Sequence, residues 1–204
     1  SPTLGYGRFD REVLQLTEQA VKHIERLGLQ VDLVENVMDD PIDMWTAEFY
    51  AGVGTRLRNV IQSQPDKLDP PVLDILQKAL NQDMESYYGS VFQRYDFREK
   101  MRQFFETYDI LLTPTLPVAA FGVGLDVPPG YEDKNIVSWA TFTYPFNLTG
   151  QPAASIPVGF TSKGLPVGLQ AVASMHDELS ILSLAQGYQK SSKYHLESPN
   201  HINE

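Results

Sequence analysis

The sequence contains no cysteine, which excludes a disulfide framework, a thiolate nucleophile and a cysteine-ligated zinc site. Cations are scarce: 16 Lys and Arg stand against 26 Asp and Glu, for a formal net charge of −10. Nucleic-acid binders neutralise phosphates with a basic face, so no nucleic-acid partner is expected. No run of about 18 uncharged apolar residues occurs, so no membrane partner is expected either. The opening Ser1-Pro2-Thr3-Leu4-Gly5 lacks the basic and apolar regions of a secretion signal, and a cytoplasmic location is the expectation. Internal repeats and low-complexity segments are absent.

What is present is the composition of a folded chain, 42% hydrophobic and 11% aromatic over 204 residues. That suffices for a sizeable core in one domain or in part of a larger one. Asp10 stands as N-cap before Val13, Leu16, Ala20, Ile24 and Leu27, which recur at helical spacing, and Gly28 occupies the place of a left-handed C-terminal cap. Leu29, Val31 and Leu33 then alternate with polar residues, the pattern of a half-buried strand. Asp40-Pro41 and Asp69-Pro70 each read as a helix start with proline in the first turn. The first of these helices carries Trp45, Phe49 and Leu57. The second is expected as one long helix from about Val72 to Tyr108, its aromatic residues serving chiefly as core.

From Ile110 the pattern changes. Ile110-Leu111-Leu112 is a short apolar strand stopped by Thr113-Pro114-Thr115-Leu116-Pro117, and residues 119–134, rich in Gly and Pro, read as loop. Between Asn135 and Met175 the one formally charged side chain is Lys163, so this stretch is either core or the wall of a pocket. It holds two buried strands, Ala153–Phe160 and Val167–Ala173, joined through Ser162-Lys163-Gly164. The closing helix from Asp177 to about Ser191 has Leu179, Leu182, Leu184, Ala185 and Tyr188 around much of its circumference, which predicts burial on more than one side. A polar tail, expected to fray, follows from Lys193 to Glu204.

Elementary chemistry finds little to catalyse with. There is no Gly-x-Ser-x-Gly elbow, and Ser191-Ser192-Lys193 has no glycine-rich neighbour. His176, Asp177 and Glu178 are consecutive and point apart, so no metal site is expected. Gly122-x-Gly124 lacks the third glycine of a dinucleotide motif. His23 reads as solvated surface, and His195 and His201 receive no role. Ser155 lies inside an expected strand with no Lys or His near it in sequence, which argues against a nucleophile. Trp139, Phe142, Thr143, Tyr144, Phe146 and Asn147 combine aromatic surface with a few polar groups; core packing is favoured over the lining of a small-ligand pocket.

Three blocks in order carry a resemblance: Tyr108-Asp109-Ile110-Leu111-Leu112-Thr113-Pro114-Thr115-Leu116-Pro117, then Phe142-Thr143-Tyr144-Pro145-Phe146-Asn147-Leu148-Thr149-Gly150-Gln151-Pro152-Ala153-Ala154-Ser155-Ile156-Pro157, then Gly164-Leu165-Pro166-Val167-Gly168-Leu169-Gln170. Together they resemble the C-terminal part of the amidase signature family, a family of amide hydrolases. Ser1-Pro2-Thr3-Leu4-Gly5-Tyr6 followed by Asp10-Arg11-Glu12-Val13 resembles a mid-chain stretch of the same family, so the likeness covers nearly the whole chain.

The resemblance implies an α/β fold, a mixed β-sheet flanked by helices that forms the C-terminal half of the amidase signature fold. Residues 1–109 would be helix-rich with one or two strands, 110–192 a neutral strand-rich segment and closing helix, and 193–204 a tail. The family's Ser–cis-Ser–Lys triad has no matching position here. The implication is no catalytic residue in this chain, no metal and no cofactor; the chain would supply sheet scaffold and part of a substrate wall and be inactive alone. The segment Trp139 to Asn147 matches the region that lines the family's pocket, and Met175 and His176, just before the last helix, would approach it from another side; Trp139, Thr143, Phe146, Met175 and His176 are therefore the expected substrate-binding residues for a small-molecule amide. Asn147, Thr149 and Gly150 are read as holding a helix-to-strand turn. Self-association through an unpaired sheet edge is a further expectation. Two alternatives stand. One is a protein like the amidase-related subunit of a glutamine amidotransferase, against which the neutral 135–175 segment offers no charged clamp; the other is a non-catalytic structural or interaction protein retaining the fold.

Overall fold

The computed structural model describes residues 1–199. Helix α1 (Arg11–Arg26) begins where expected, with the Asp10 carboxylate accepting from the backbone N–H groups of Glu12 and Val13, and Gly28 follows it at φ +95°. Four helices come next: α2 (Ile42–Arg56), α3 (Arg58–Ser63), α4 (Pro70–Leu80) and α5 (Met84–Phe104). The single long helix expected over 72–108 is therefore two. Asp83 accepts from the Ser86 N–H and caps a new helix, so the local signal of that cap overrides the continuing apolar period. At the start of α2 the Asp40 carboxylate accepts from the Ile42 N–H at 3.1 Å.

Strand β1 (Ile110–Pro114), helix α6 (Tyr144–Thr149), strands β2 (Ala153–Phe160) and β3 (Pro166–Ala173) and helix α7 (Glu178–Ser192) complete the order. The sheet runs β1-β3-β2 and both pairings are antiparallel. A mixed sheet is the expectation from the resemblance; among the described residues the strands are antiparallel throughout, because β2 and β3 form a hairpin and β1 adds to its far side. The turn between β2 and β3 closes with Gly164 N–H donating to the Thr161 carbonyl at 2.8 Å.

Alternation along the strands divides the interior in two, giving helices on both faces of the sheet. Ile156, Val158, Leu169 and Ala171 face Val13, Ala20 and Ile24 of α1 and Ile181, Leu184 and Tyr188 of α7. On the other face Leu111 and Val172 join Trp45, Leu76, Met101, Phe142 and Phe146. Gln170 lies on this second face, and its amide nitrogen donates to the Phe142 carbonyl at 2.7 Å and to Thr113 Oγ1 at 3.0 Å.

Four further expectations are corrected. Residues 29–34 are not a strand: no ladder forms beside them among the described residues, and alternation without a hydrogen-bonding neighbour does not make one. The aromatic content of α5 is not all core, since Tyr88, Phe92 and Tyr95 are exposed. One face of α7 is buried, whereas Leu179 and Leu182 are exposed. His23 is not simply solvated: its ring packs 5.0 Å from that of Tyr188 and its Nε2 lies 2.7 Å from Ser191 Oγ, tying α1 to α7. In the tail, Tyr194–Leu196 form a single 3-10 turn, and residues 200–204, with His201, lie outside the described residues.

Candidate functional site

The neutral segment turns out to be both core and cavity wall. Its core part is built on α6, whose proline in the first turn and Gly150 at φ +81° after the last suit a short helix with a sharp end. The Thr149 hydroxyl donates to the Pro145 carbonyl at 3.1 Å and Gly150 N–H to the Phe146 carbonyl at 2.8 Å, consistent with their reading as turn-holding residues. The wall part is the end of the sheet beyond Gln170, where no helix among the described residues lines the face. There Ser155, Pro157, Val167 and Gly168 form the floor of an open cavity of about 560 Å³, and the 115–121 loop and Trp139 form its sides. Phe121 meets the Trp139 indole edge to face at 5.3 Å, and the indole N–H donates to the Ile136 carbonyl. The lining is aromatic, aliphatic and hydroxylic, with no charged side chain.

On the cavity floor the hydroxyls of Ser155 and Thr115 lie 2.7 Å apart across Gly168. Because each is both donor and acceptor, the pair can keep one proton for a bound acceptor. A Cβ on Gly168 would sit 2.3 Å from Ser155 Oγ and 2.8 Å from Thr115 Oγ1, so the pair exists because residue 168 has no side chain. Neither residue stood out in sequence for this: they are far apart along the chain, and strand register alone joins them. The Ser155 hydroxyl is exposed and its partner is another neutral hydroxyl, so no base is in place to make it a nucleophile.

Of the five expected substrate-binding residues, Trp139 lines this cavity. Thr143, Phe146 and Met175 lie at α6, which at six residues is about 9 Å long. Thr143 precedes the helix, its hydroxyl donating to the Ala140 carbonyl at 3.1 Å. Phe146 is buried in the core of the second face. Met175 reaches over the helix end, its Cε 3.6 Å from where a Cβ on Gly150 would stand, and is partly exposed. His176 is exposed with φ +70°, a left-handed conformation uncommon for a residue with a side chain, just ahead of the Asp177 that caps α7. The fold therefore brings Thr143, Phe146 and Met175 to one short helix, leaves Trp139 at the cavity, and does not join His176 to either.

A second polar cluster joins residues that are far apart in the sequence. The Tyr144 hydroxyl donates to Asp40 Oδ1 at 2.6 Å, and Lys134 Nζ lies 3.8 Å from Asp40 Oδ2. Burial pushes the Tyr144 and Tyr6 phenols well above their ordinary range, and the charge of Asp40 pushes in the same direction, so both stay protonated and act as donors. On the helical side the Arg94 guanidinium donates to Glu48 at 2.8 Å and to the Leu148 carbonyl at 2.7 Å, fixing α5 to α2 and α6. Among the described residues no group of His, Asp and Glu is arranged to hold a metal, and no helix is long and apolar enough to cross a membrane.

Comparison with known proteins identifies the class: the Amidase family model matches residues 2–182, and the chain belongs to that family. It is 29% identical over 195 residues to an acylamidase of Rhodococcus erythropolis, covering 93% of this chain and 41% of that protein. Over 118 residues it is 40% identical to one of the subunits of the glutamyl-tRNA(Gln) amidotransferase of Thermodesulfovibrio yellowstonii, covering 56% of this chain and 23% of that one. The fold matches that of a bacterial aryl acylamidase of the amidase signature enzymes with a TM-score of 0.84 at 18% identity, over 96% of this chain and 43% of that one. The chain thus spans well under half the length of these relatives.

Proposed function

We propose that this chain is the sheet-bearing part of an amidase that hydrolyses a small neutral carboxylic amide to an acid and ammonia or an amine, with a serine nucleophile outside residues 1–204. The observation that carries this reading is membership of the Amidase family over residues 2–182; the Ser155 hydroxyl on the cavity floor has the neutral Thr115 hydroxyl as its partner. Alone the chain would be inactive. Trp139, Thr143, Phe146, Met175 and His176 are proposed as its share of the substrate wall, and the uncharged lining suits an alkyl or aryl amide. No cofactor and no metal enters the reaction as proposed, and the protein works in the cytoplasm.

The amidotransferase reading is favoured by the 40% identity to a subunit of such an enzyme. It is the weaker one, because glutamine carries two charges and the Asn135–Met175 stretch has Lys163, in the β2–β3 turn, as its one formally charged side chain.

A serine-reactive fluorophosphonate probe, with adducts located by mass spectrometry, tests where the nucleophile lies. The expected result is no adduct on this chain and, in a longer product of the same gene, labelling of a serine upstream of Ser1. An adduct at Ser155 would overturn the proposal. Thr143→Ala and Phe146→Ala in such a longer product test the wall: KM and the preference between alkyl and aryl amides change for both. Phe146→Ala also costs about 3–5 kcal/mol of stability, the usual loss for a truncated core phenylalanine. Unchanged KM and preference with only the stability loss would reduce these residues to packing.

A further inference from the structure

Strand β1 pairs with β3 on one side only. Thr115 N–H donates to the Gly168 carbonyl, and by the period of two the backbone groups of Leu111 and Thr113 turn to β3 as well, so those of Ile110 and Leu112 point away from it. On that outer side the Leu112 carbonyl accepts from the Ser1 nitrogen at 2.8 Å. From this bond a cavity of about 640 Å³ runs back beside Leu111, Ile110 and Tyr108, with residues 29–34 along its far side. Helix α1 and Leu184 of α7 cover it on one face of the sheet, and Phe104 covers it on the other. A slot bounded by an open strand edge, by a segment with strand alternation and by apolar side chains above and below is shaped to take one strand.

We propose that the residues immediately ahead of Ser1 in the longer product form a strand in this cavity, between β1 and residues 29–34 and parallel to both; this rests on the reading above, in which the chain that carries the nucleophile precedes Ser1. Two contacts give the direction. Ser1 stands at Leu112, and its hydroxyl donates to the Glu35 carbonyl at 3.3 Å, so earlier residues lie beside earlier residues on either side. Parallel neighbours need a crossover of about a dozen residues or more, usually a helix. Residues 1–28 are that crossover, and α1 packs back onto the sheet as a crossover helix must. The same bond sets the register. With Ser1 N–H on the Leu112 carbonyl, the Leu112 N–H donates to the carbonyl of the second residue ahead of Ser1, whose own N–H donates to the Ile110 carbonyl. Pro2 and Pro114 have no N–H, so the ladder ends at Ser1. At about 3.3 Å per residue, the stretch from Leu112 back to Tyr108 takes about five residues. Covered on both faces, they form an apolar, β-branched run. A second copy would have to displace Ser1 from Leu112 to pair here, whereas the chain's own preceding residues start from that bond. The strand gives residues 29–34 the neighbour their alternation calls for, and it makes the sheet mixed.

Hydrogen exchange of the longer product, resolved residue by residue, is the test. Leu111 and Thr113, held by β3, serve as the internal reference. The Ile110 and Leu112 amides exchange within roughly tenfold of them, whereas amides on an open edge exchange roughly hundredfold faster or more. Every second amide over 30–34 is protected with them. A proline placed two residues ahead of Ser1 removes the donor to the Ile110 carbonyl, and it speeds exchange at Ile110 and Leu112 while Thr113 keeps its rate. Open-edge rates at Ile110 and Leu112 in the longer product would overturn the proposal. So would protection that falls on dilution, because a second copy would then fill the edge, or a coding sequence whose residues just ahead of Ser1 are polar or include proline. Exchange and probe labelling fail separately. An adduct at Ser155 with protected edge amides removes the catalytic reading and leaves the strand; labelling upstream of Ser1 with open-edge rates does the reverse.

Discussion

Gln170→Leu lowers the thermal midpoint, although the replacement is close in volume and more apolar. Gln170 is 4% exposed, and its amide nitrogen is the donor to the Phe142 carbonyl and to the Thr113 hydroxyl. Leucine leaves that carbonyl dry and unpaired, which costs roughly 1–3 kcal/mol. For a domain of this size each kcal/mol corresponds to about 2–4 °C. Gln170→Glu separates donation from shape. A carboxylate at that spot is buried among acceptors, so its folded-state pKa lies above the unfolded carboxylate value near 4.3. Folding then takes up a proton, and stability falls as pH rises through and above that value. The protonated acid can donate to the Phe142 carbonyl, so the variant approaches the parent at low pH. Urea midpoints measured between pH 4 and 7 check this; a Gln170→Glu penalty independent of pH, or a neutral Gln170→Leu, would show that the amide serves only to fill space.

Gly168→Ala is expected to disrupt the cavity floor. Its methyl group would stand 2.3 Å from Ser155 Oγ and 2.8 Å from Thr115 Oγ1, both far inside contact distance, while the Gly168 carbonyl is held by the Thr115 N–H at 2.9 Å. The backbone cannot yield without breaking that bond, so the hydroxyl pair must part. Overpacking of this kind costs about 1–3 kcal/mol. In a Ser155→Ala, Thr115→Ala background the same change costs much less, because the crowding oxygens are gone. The measurement is a mutant cycle of unfolding free energies; additivity to within about 0.5 kcal/mol would mean the groups do not touch as described.

Gln170 and Gly168 owe these effects to features that no local pattern signals. Gly168 and Gln170 lie in one apolar run, and only the antiparallel register, pairing Ser155 and Thr113 each with Gln170, gives them their neighbours. The elements, by contrast, are largely legible. Asp10 and Asp177 cap their helices through their own side chains, an interaction complete within a few residues; Asp83 does the same, and the apolar period running past it hides the break between α4 and α5. Elsewhere the differences between pattern and fold were decided by neighbours. Residues 29–34 alternate as a strand does but find no partner, and the aromatic residues of α5 have helical spacing but point outward.

Two kinds of property were therefore readable before any fold was known. Composition excludes thiol chemistry and disfavours nucleic-acid binding, and three motif blocks carry the family, because such features belong to the chain wherever it lies in space. The placement of candidate wall residues about α6, the hydroxyl pair over Gly168, the Gln170 bridge and the exposed stripe of α5 came only with the folded arrangement. Each depends on which face of an element is buried and which strands align, and those are set by packing between residues far apart in the chain.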